Sequence, residues 1–244
     1  MADAHLAIAS YLREARESAG LTRAELARRA GVSEALIQKL EQGTRPPTPT
    51  ALGALFDALD VPVQYRDHAA KVLQPELSAH IADEGAPDAA EMAFLHSLPY
   101  PACYQTVPAL DVVAANDAYL RVFPGLGPGA NVMEWMLLDP RARVALRDWE
   151  RETHSVVHAF RHMAPGLVEP ARIEQLTRLF AEHSPDWDRF RASDIPSDDQ
   201  PRRPIAVRSP ETGEWVEMTT HVFRFELPRR HWCIYSLVPV AAPN

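Results

Sequence analysis

Leu21 to Arg45 reads LTRAELARRAGVSEALIQKLEQGTR, and this stretch decides how the rest of the chain is read. It holds two short helical patterns joined by a tight turn at Ala30-Gly31-Val32. Thr22, followed three residues on by Glu25, is a capping box for the first helix; Ser33 caps the second and Gly43 ends it. Leu26, Ala27 and Ala30 share one face of the first helix, Leu36, Ile37 and Leu40 one face of the second, and Val32 turns inward between them. Glu34, Ala35, Gln38, Lys39 and Gln42 are left pointing outward. A helix held by its inner face, offering short and polar side chains from its N-terminal end, has the form that enters a DNA major groove.

The pattern L-T-x-x-E-L-A-x-x-A-G-V-S-x-x-x-I-x-x-L-E-x-G-x-R-x-P resembles the helix-turn-helix of the Cro/C1 repressor class, also called XRE-type regulators, and the likeness runs from Leu12 to Leu59. An αα-hairpin inside an all-α domain is the plainer reading, but generic hairpins do not place Gly31, Glu41, Gly43 and Pro47 together. The resemblance implies an all-α, five-helix, lambda-repressor-like DNA-binding domain, which we place at residues 1–74. It also implies that Arg16 supports or contacts the DNA backbone. Where the family has two glutamines, this chain has Arg23 and Glu34. An ion pair in place of the amide pair is the expectation, with Arg23 orienting Glu34. Glu34 then accepts a hydrogen bond from cytosine N4 or merely serves the helix dipole. Arg16, Arg23, Gln42, Thr44 and Arg45 are the expected backbone contacts and Glu34, Ala35, Gln38 and Lys39 the base contacts, with the caps Thr22 and Ser33 completing the set.

Outward from the motif, a first helix is expected at about residues 5–19, where Ile8, Leu12, Ala15 and Ala19 line one face. Past Gly43, the prolines at 46, 47 and 49 exclude a helix and hold Thr44 and Arg45 on a stiff loop. Thr48 caps a fourth helix with Pro49 in its first turn, and a fifth is expected at 63–73. From 75 to 98 the chain reads as a linker, polar and rich in proline, and a connecting helix with Met92, Phe94 and Leu95 apolar.

The 244 residues, 46% of them apolar, suffice for two modest cores. The formal charge of −8 is unusual for a DNA binder, and its location matters. Through Leu73 there are nine basic and nine acidic residues, so the whole excess lies later; from Arg13 to Arg45 the balance is +2. So weak a basic face makes few phosphate contacts per subunit and calls for two subunits on the DNA. Met1 to Ser10 does not read as a signal peptide, and no apolar stretch approaches a membrane span, so a cytoplasmic protein without membrane contact is expected. Cys103 and Cys233 show no C-x-x-C spacing and read as reduced thiols.

Residues 99–240 have a different texture. Residues 102–107 and 110–114 suggest a hairpin around Pro108, and Asn116 caps a helix at 117–123. Helical patterns follow at 131–138, 140–163 and 169–182, then strands at 205–209, 214–226 and 231–238. Strands, helices and three antiparallel strands describe an α+β fold with one sheet. The run Pro124 to Gly129 lacks the spacing and the Lys-Ser/Thr of a phosphate cradle.

This order resembles the MmyB-like ligand-binding domain that follows an XRE-type helix-turn-helix in many regulators. The likeness is carried by Pro101-Ala102-Cys103-Tyr104, Leu110-Asp111-Val112-Val113-Ala114-Ala115-Asn116, Met133 to Arg143, and Trp149-Glu150. It implies a PAS-like antiparallel sheet flanked by helices, around an apolar pocket for a fatty acid or other lipid-like effector, often in a dimer. Candidate ligand contacts are Cys103, Tyr104, Trp135, Met136, Phe160, Phe223 and Trp232. In 214–226 large apolar residues fall on both faces, so either helices cover both or one lines a cavity.

Glu150, His154, His158 and His162 recur every four residues on one helix face, so neighbours can share an ion. All three histidines cannot, since His154 and His162 lie about 12 Å apart along the axis. No metal site is assigned, no cofactor beyond the lipid-like effector, and no nucleophile elbow or metalloprotease signature supports an enzyme. The expectation is a homodimeric, sequence-specific transcriptional regulator that reads a palindrome on double-stranded DNA and senses a small hydrophobic ligand. Two readings stay open beside it: a C-terminal domain that only dimerises or docks a protein, and a metal or redox sensor using the cysteines or the histidine row.

Overall fold

The computed structural model describes residues 2–61, 65–66, 69–70, 85–165, 167–192, 204–226 and 229–240. They group into two compact units, one drawn from Met1–His80 and Ala159–Ile173, the other from Ile81–His158, Glu174–Ser193 and Gln200–Asn244.

The first unit is helical: α1 (Ala2–Ser18), α2 (Arg23–Ala30), α3 (Glu34–Glu41) and α4 (Pro49–Ala58). The starts of α2, α3 and α4 each follow from a local side-chain hydrogen bond. Thr22 and Glu25 form the full capping box of α2, the Ser33 side chain accepts from Leu36 N, and the Thr48 side chain accepts from Ala51 N with Pro49 in the first turn. Gly31 closes α2 in the left-handed region at φ 64. Gly43 turns the chain after α3 in the left-handed region at φ 66, which side-chain-bearing residues rarely adopt. Ile8, Leu12, Leu26, Ile37, Leu40, Leu52, Leu55 and Phe56 are buried together as this unit's core. Of the fifth helix expected at 63–73, the described residues 65, 66, 69 and 70 are helical, with Tyr65 and Ala69 buried; the rest, and the linker expected to follow through 84, lie outside the described residues.

The second unit is built on a five-stranded antiparallel sheet in the order β2-β1-β5-β4-β3. The strands are β1 (Ala102–Thr106), β2 (Val112–Ala115), β3 (Ile205–Arg208), β4 (Trp215–Glu226) and β5 (Arg229–Pro239). Its helices, some sharing residues with the first unit, are α5 (Ala89–Ser97), α6 (Asp117–Val122), α7 (Val132–Leu138), α8 (Pro140–Ala145), α9 (Trp149–Met163), α10 (Pro170–His183) and α11 (Trp187–Ala192). The single helix expected at 140–163 is two. Leu146 leaves the helix to bridge Val207, and the Arg147 N–H donates to Ala206 O at 3.0 Å, stitching the break to β3. That backbone pairing, made with a strand some sixty residues away, carries no periodic signal in the sequence.

Register assigns the two faces of the sheet. Tyr104 pairs with Ile234 and Ile234 with Phe223, so these share a face; Cys103, Tyr235 and Val222 share the other. On the first face α5 lays Leu95 and Met92 against Ala102, Tyr104, Trp232 and Ile234. Two bonds fix α5 there: Tyr104 Oη donates to Glu91 O at 2.7 Å, and Arg230 grips Glu91 in a two-pronged pair at 2.8 and 3.0 Å. The connecting helix is thus part of the second unit's core.

Candidate functional site

On α3, Glu34, Ala35, Gln38, Lys39 and Gln42 are exposed while Ile37, Leu40 and Glu41 are buried. The inner row is apolar except at Glu41, and there lies the unit's main polar device. Glu41 Oε1 accepts from Arg16 Nε at 2.6 Å, and Oε2 from Arg16 Nη2 at 3.1 Å and from Arg23 Nε at 2.8 Å. Arg16 Nη1 also donates to Leu21 O at 2.9 Å. Burial alone pushes the Glu41 carboxyl up, but hydrogen bonds and charge from the two arginines reverse that and hold it below its ordinary range. One carboxylate therefore ties α1, α2 and α3 together behind the exposed row.

Two expectations change here. Arg23 does not pair with Glu34: its Nε is turned inward to Glu41, whose buried charge demands a partner more than the exposed Glu34 does. Arg16, expected at the DNA backbone, is 7% exposed with its guanidinium fully engaged, so it supports the reading helix from within. Thr44 is also partly committed, since both its N–H and its hydroxyl donate to Lys39 O, at 3.1 Å each. That bond closes the C-terminal turn of α3 and leaves Lys39, Gln42 and Arg45 exposed around it. Glu41 went unassigned in the sequence, although an acid in the last turn of a helix opposes the dipole and signals a partner elsewhere.

In the second unit a groove of about 590 Å³ opens on the sheet face that carries Phe223. Phe94, Leu98 and Tyr100 form one wall and Phe223, Phe225 and Ile234 the other, with His221 stacked parallel to Phe223 at 6.0 Å. Of the seven expected ligand contacts, Phe223 alone lines it. Cys103, Tyr104 and Trp232 sit on β1 and β5, the central strands, where both faces are covered and the side chains are buried. Trp135 and Met136 are packed inward from α7, with Trp135 Nε1 donating to Pro124 O at 3.0 Å. Phe160 is buried in the first unit. The groove lies between the C-terminal part of α5 with the turn after it and the exposed face of β4 and β5. Its walls from Phe94 to Tyr100 read as an ordinary short helix and turn; the signal for them was the surplus of apolar residues in 214–226, whose Phe223 and Phe225 face proves to line a cavity.

The cysteines lie on the opposite face, both buried. Burial drives the Cys103 thiol far up from its usual range, offset in part by a hydrogen bond with Tyr119. The histidine row divides: His154 lies beside Phe190, whereas His162 Nε2 meets Glu14 of α1 at 3.1 Å, with Arg161 on the same carboxylate. Burial raises the Glu14 carboxyl, and His162 and Arg161 together overcome this and bring it down to about 2. Glu150 pairs with Arg189. Among the described residues no three His, Cys, Asp or Glu side chains converge as metal ligands would, and no helix is long and apolar enough to cross a membrane.

Residues 87–243 match the family model of the MmyB-like transcription regulator ligand binding domain, and residues 7–69 match a helix-turn-helix domain. No curated protein matches the chain.

Proposed function

The chain belongs to the MmyB-like transcription regulators, a DNA-binding helix-turn-helix joined to a ligand-binding domain, and from that premise we propose a cytoplasmic, XRE-type homodimer that reads a palindromic operator and answers to a fatty-acid-like effector. In this reading residues 1–74 bind DNA and residues 99–240 bind the effector. Glu34, Ala35, Gln38 and Lys39 meet base edges, and Arg23, Gln42, Thr44 and Arg45 line the phosphates. The near-neutral first 73 residues support the need for two subunits, which place two reading helices about 34 Å apart, one turn of DNA. The role is regulatory rather than enzymatic.

The observation that carries the effector reading is the groove. Its 590 Å³ falls within the range of small-molecule sites, and walls made of Phe94, Leu98, Phe223, Phe225 and Ile234 suit an alkyl chain far better than a polar metabolite. An effector there controls DNA binding only if it binds the two arrangements of the dimer unequally. The test is direct. Protein purified without detergent is extracted with solvent, and its groove is then titrated with saturated fatty acids of increasing length. Binding that Phe223→Asp abolishes, together with a shift in operator affinity on loading, is expected. Binding that survives Phe223→Asp unchanged overturns the assignment of the groove.

A further inference from the structure

The floor of the groove is apolar except at a single rung. Register pairs Phe223 with Ile234 and His221 with Ser236, and the two-residue alternation of a strand keeps all four on the groove side of the sheet. His221 stands parallel to Phe223, at an interplanar angle of 4°. Ser236, only 8% exposed, turns its hydroxyl toward the groove beside that ring. Arg224 also lines the groove, but it pairs with Cys233, so alternation sends its guanidinium to the opposite face. Among the described residues no carboxylate lines the groove. On β4 the lining runs from His221 to Phe225, which sets the polar rung at one end of an apolar track about 13 Å long, at ~3.3 Å of rise per residue.

We infer that the His221–Ser236 rung is the head-group subsite of the groove, and that it takes the ionised carboxylate of a single-chain acid whose tail runs over Phe223 and Ile234 to Phe225. The inference rests on the effector reading above and adds to it which end of the ligand goes where. A carboxylate only accepts hydrogen bonds, on two oxygens, and the rung offers two donors: the Ser236 hydroxyl and an imidazole N–H, which His221 carries in either protonation state. Hydrogen bonds to an ionised acceptor are about twice as strong as neutral ones, so the rung favours an acid over an alcohol or ester of the same length. A protein carboxylate in the lining would oppose this, and the walls hold none among the described residues. The apolar walls reward the length of the tail and are indifferent to the head. Affinity therefore comes from the phenylalanine track, while the direction of binding and the choice of head group come from the rung.

Full-length protein stripped of lipid is titrated calorimetrically with decanoic acid, 1-decanol and methyl decanoate at neutral pH. The acid is expected to bind at least tenfold more tightly than either neutral probe. Ser236→Ala and His221→Ala should each weaken decanoate binding roughly tenfold and change decanol binding little, a split that a general loosening of the fold does not give. Phe223→Asp should remove binding of all three. If His221→Ala disturbs the neighbouring Phe223 as well, Ser236→Ala, which deletes one oxygen, decides. Three probes bound equally, and lost together in Phe223→Asp, overturn the head-group subsite and leave the groove as an apolar site. A preference for the acid that persists in both rung variants places the head elsewhere and overturns the subsite too. No binding of any probe, or binding that Phe223→Asp leaves untouched, removes the groove reading along with this one.

Discussion

Asn116 reaches five backbone groups with one side chain, its two amide hydrogens being shared among three carbonyls. Its Oδ1 accepts from Tyr119 N at 2.9 Å and Ala102 N at 3.1 Å, while Nδ2 donates to the carbonyls of Leu95, Leu98 and Tyr100 at 3.4, 3.2 and 2.8 Å. Read from sequence it is a helix cap; in the fold it also holds the C-terminal end of α5 and the start of β1, which no local pattern discloses. Asn116→Ala leaves several buried backbone groups unpaired, at about 1–3 kcal/mol each, so thermal melting should register a loss of at least ~3 kcal/mol, well beyond an ordinary cap. The carboxylates of Glu41 and Glu14 give a second prediction. Both are held below the ordinary value of 4.5 in the folded chain, Glu14 at about 2. Their contribution is therefore full above pH 4.5 and is lost as pH falls below it. Urea midpoints measured between pH 5 and 2.5 should fall steeply for the wild type and more shallowly for Glu14→Gln and Glu41→Gln, both of them weaker at neutral pH. The buried Cys103 and Cys233 should resist a thiol reagent until the protein is unfolded. Rapid labelling of the native protein would reopen the redox reading.

The short helices were legible in sequence because capping is local: Thr22, Ser33, Thr48 and Asn116 each bond a backbone N–H within three residues. Ser33→Ala removes such a bond from α3 and should cost ~1 kcal/mol, with DNA affinity falling alongside because the cap sets where the reading face begins. The double variant Gln38→Ala and Lys39→Ala should leave the melting temperature near wild type, both residues being exposed, while operator binding by fluorescence anisotropy weakens by ~1–3 kcal/mol per lost base contact. What the sequence did not disclose at this scale is non-local. The partner of Arg23 is eighteen residues away rather than eleven, and the strands alternate as expected without revealing which face a helix covers. The apolar surplus of β4 told of a cavity but not of its position, since that depends on Phe94, Leu98 and Tyr100 coming from a distant segment to form the other wall.

At the scale of the whole chain, the formal charge of −8 falls after Leu73, on the part that carries the sheet. Operator binding should consequently show a shallow salt dependence, with few phosphates neutralised per subunit, and a log–log slope as steep as about −10 would contradict it. The two-part division was legible because composition changes between the halves, whereas the return of residues 159–173 to the first unit was not, since nothing in their sequence resembles the motif they join. One consequence follows from the aromatic cluster on the sheet. Phe225, a wall of the groove, stands edge-on to Trp232 at 4.9 Å, and Tyr104 stacks on the same indole at 4.4 Å. Trp232 is sealed from water yet only one ring removed from any occupant of the groove. The molecule so carries a built-in optical gauge: its indole emission should change in wavelength or yield as a guest displaces the neighbouring ring, with no dye attached.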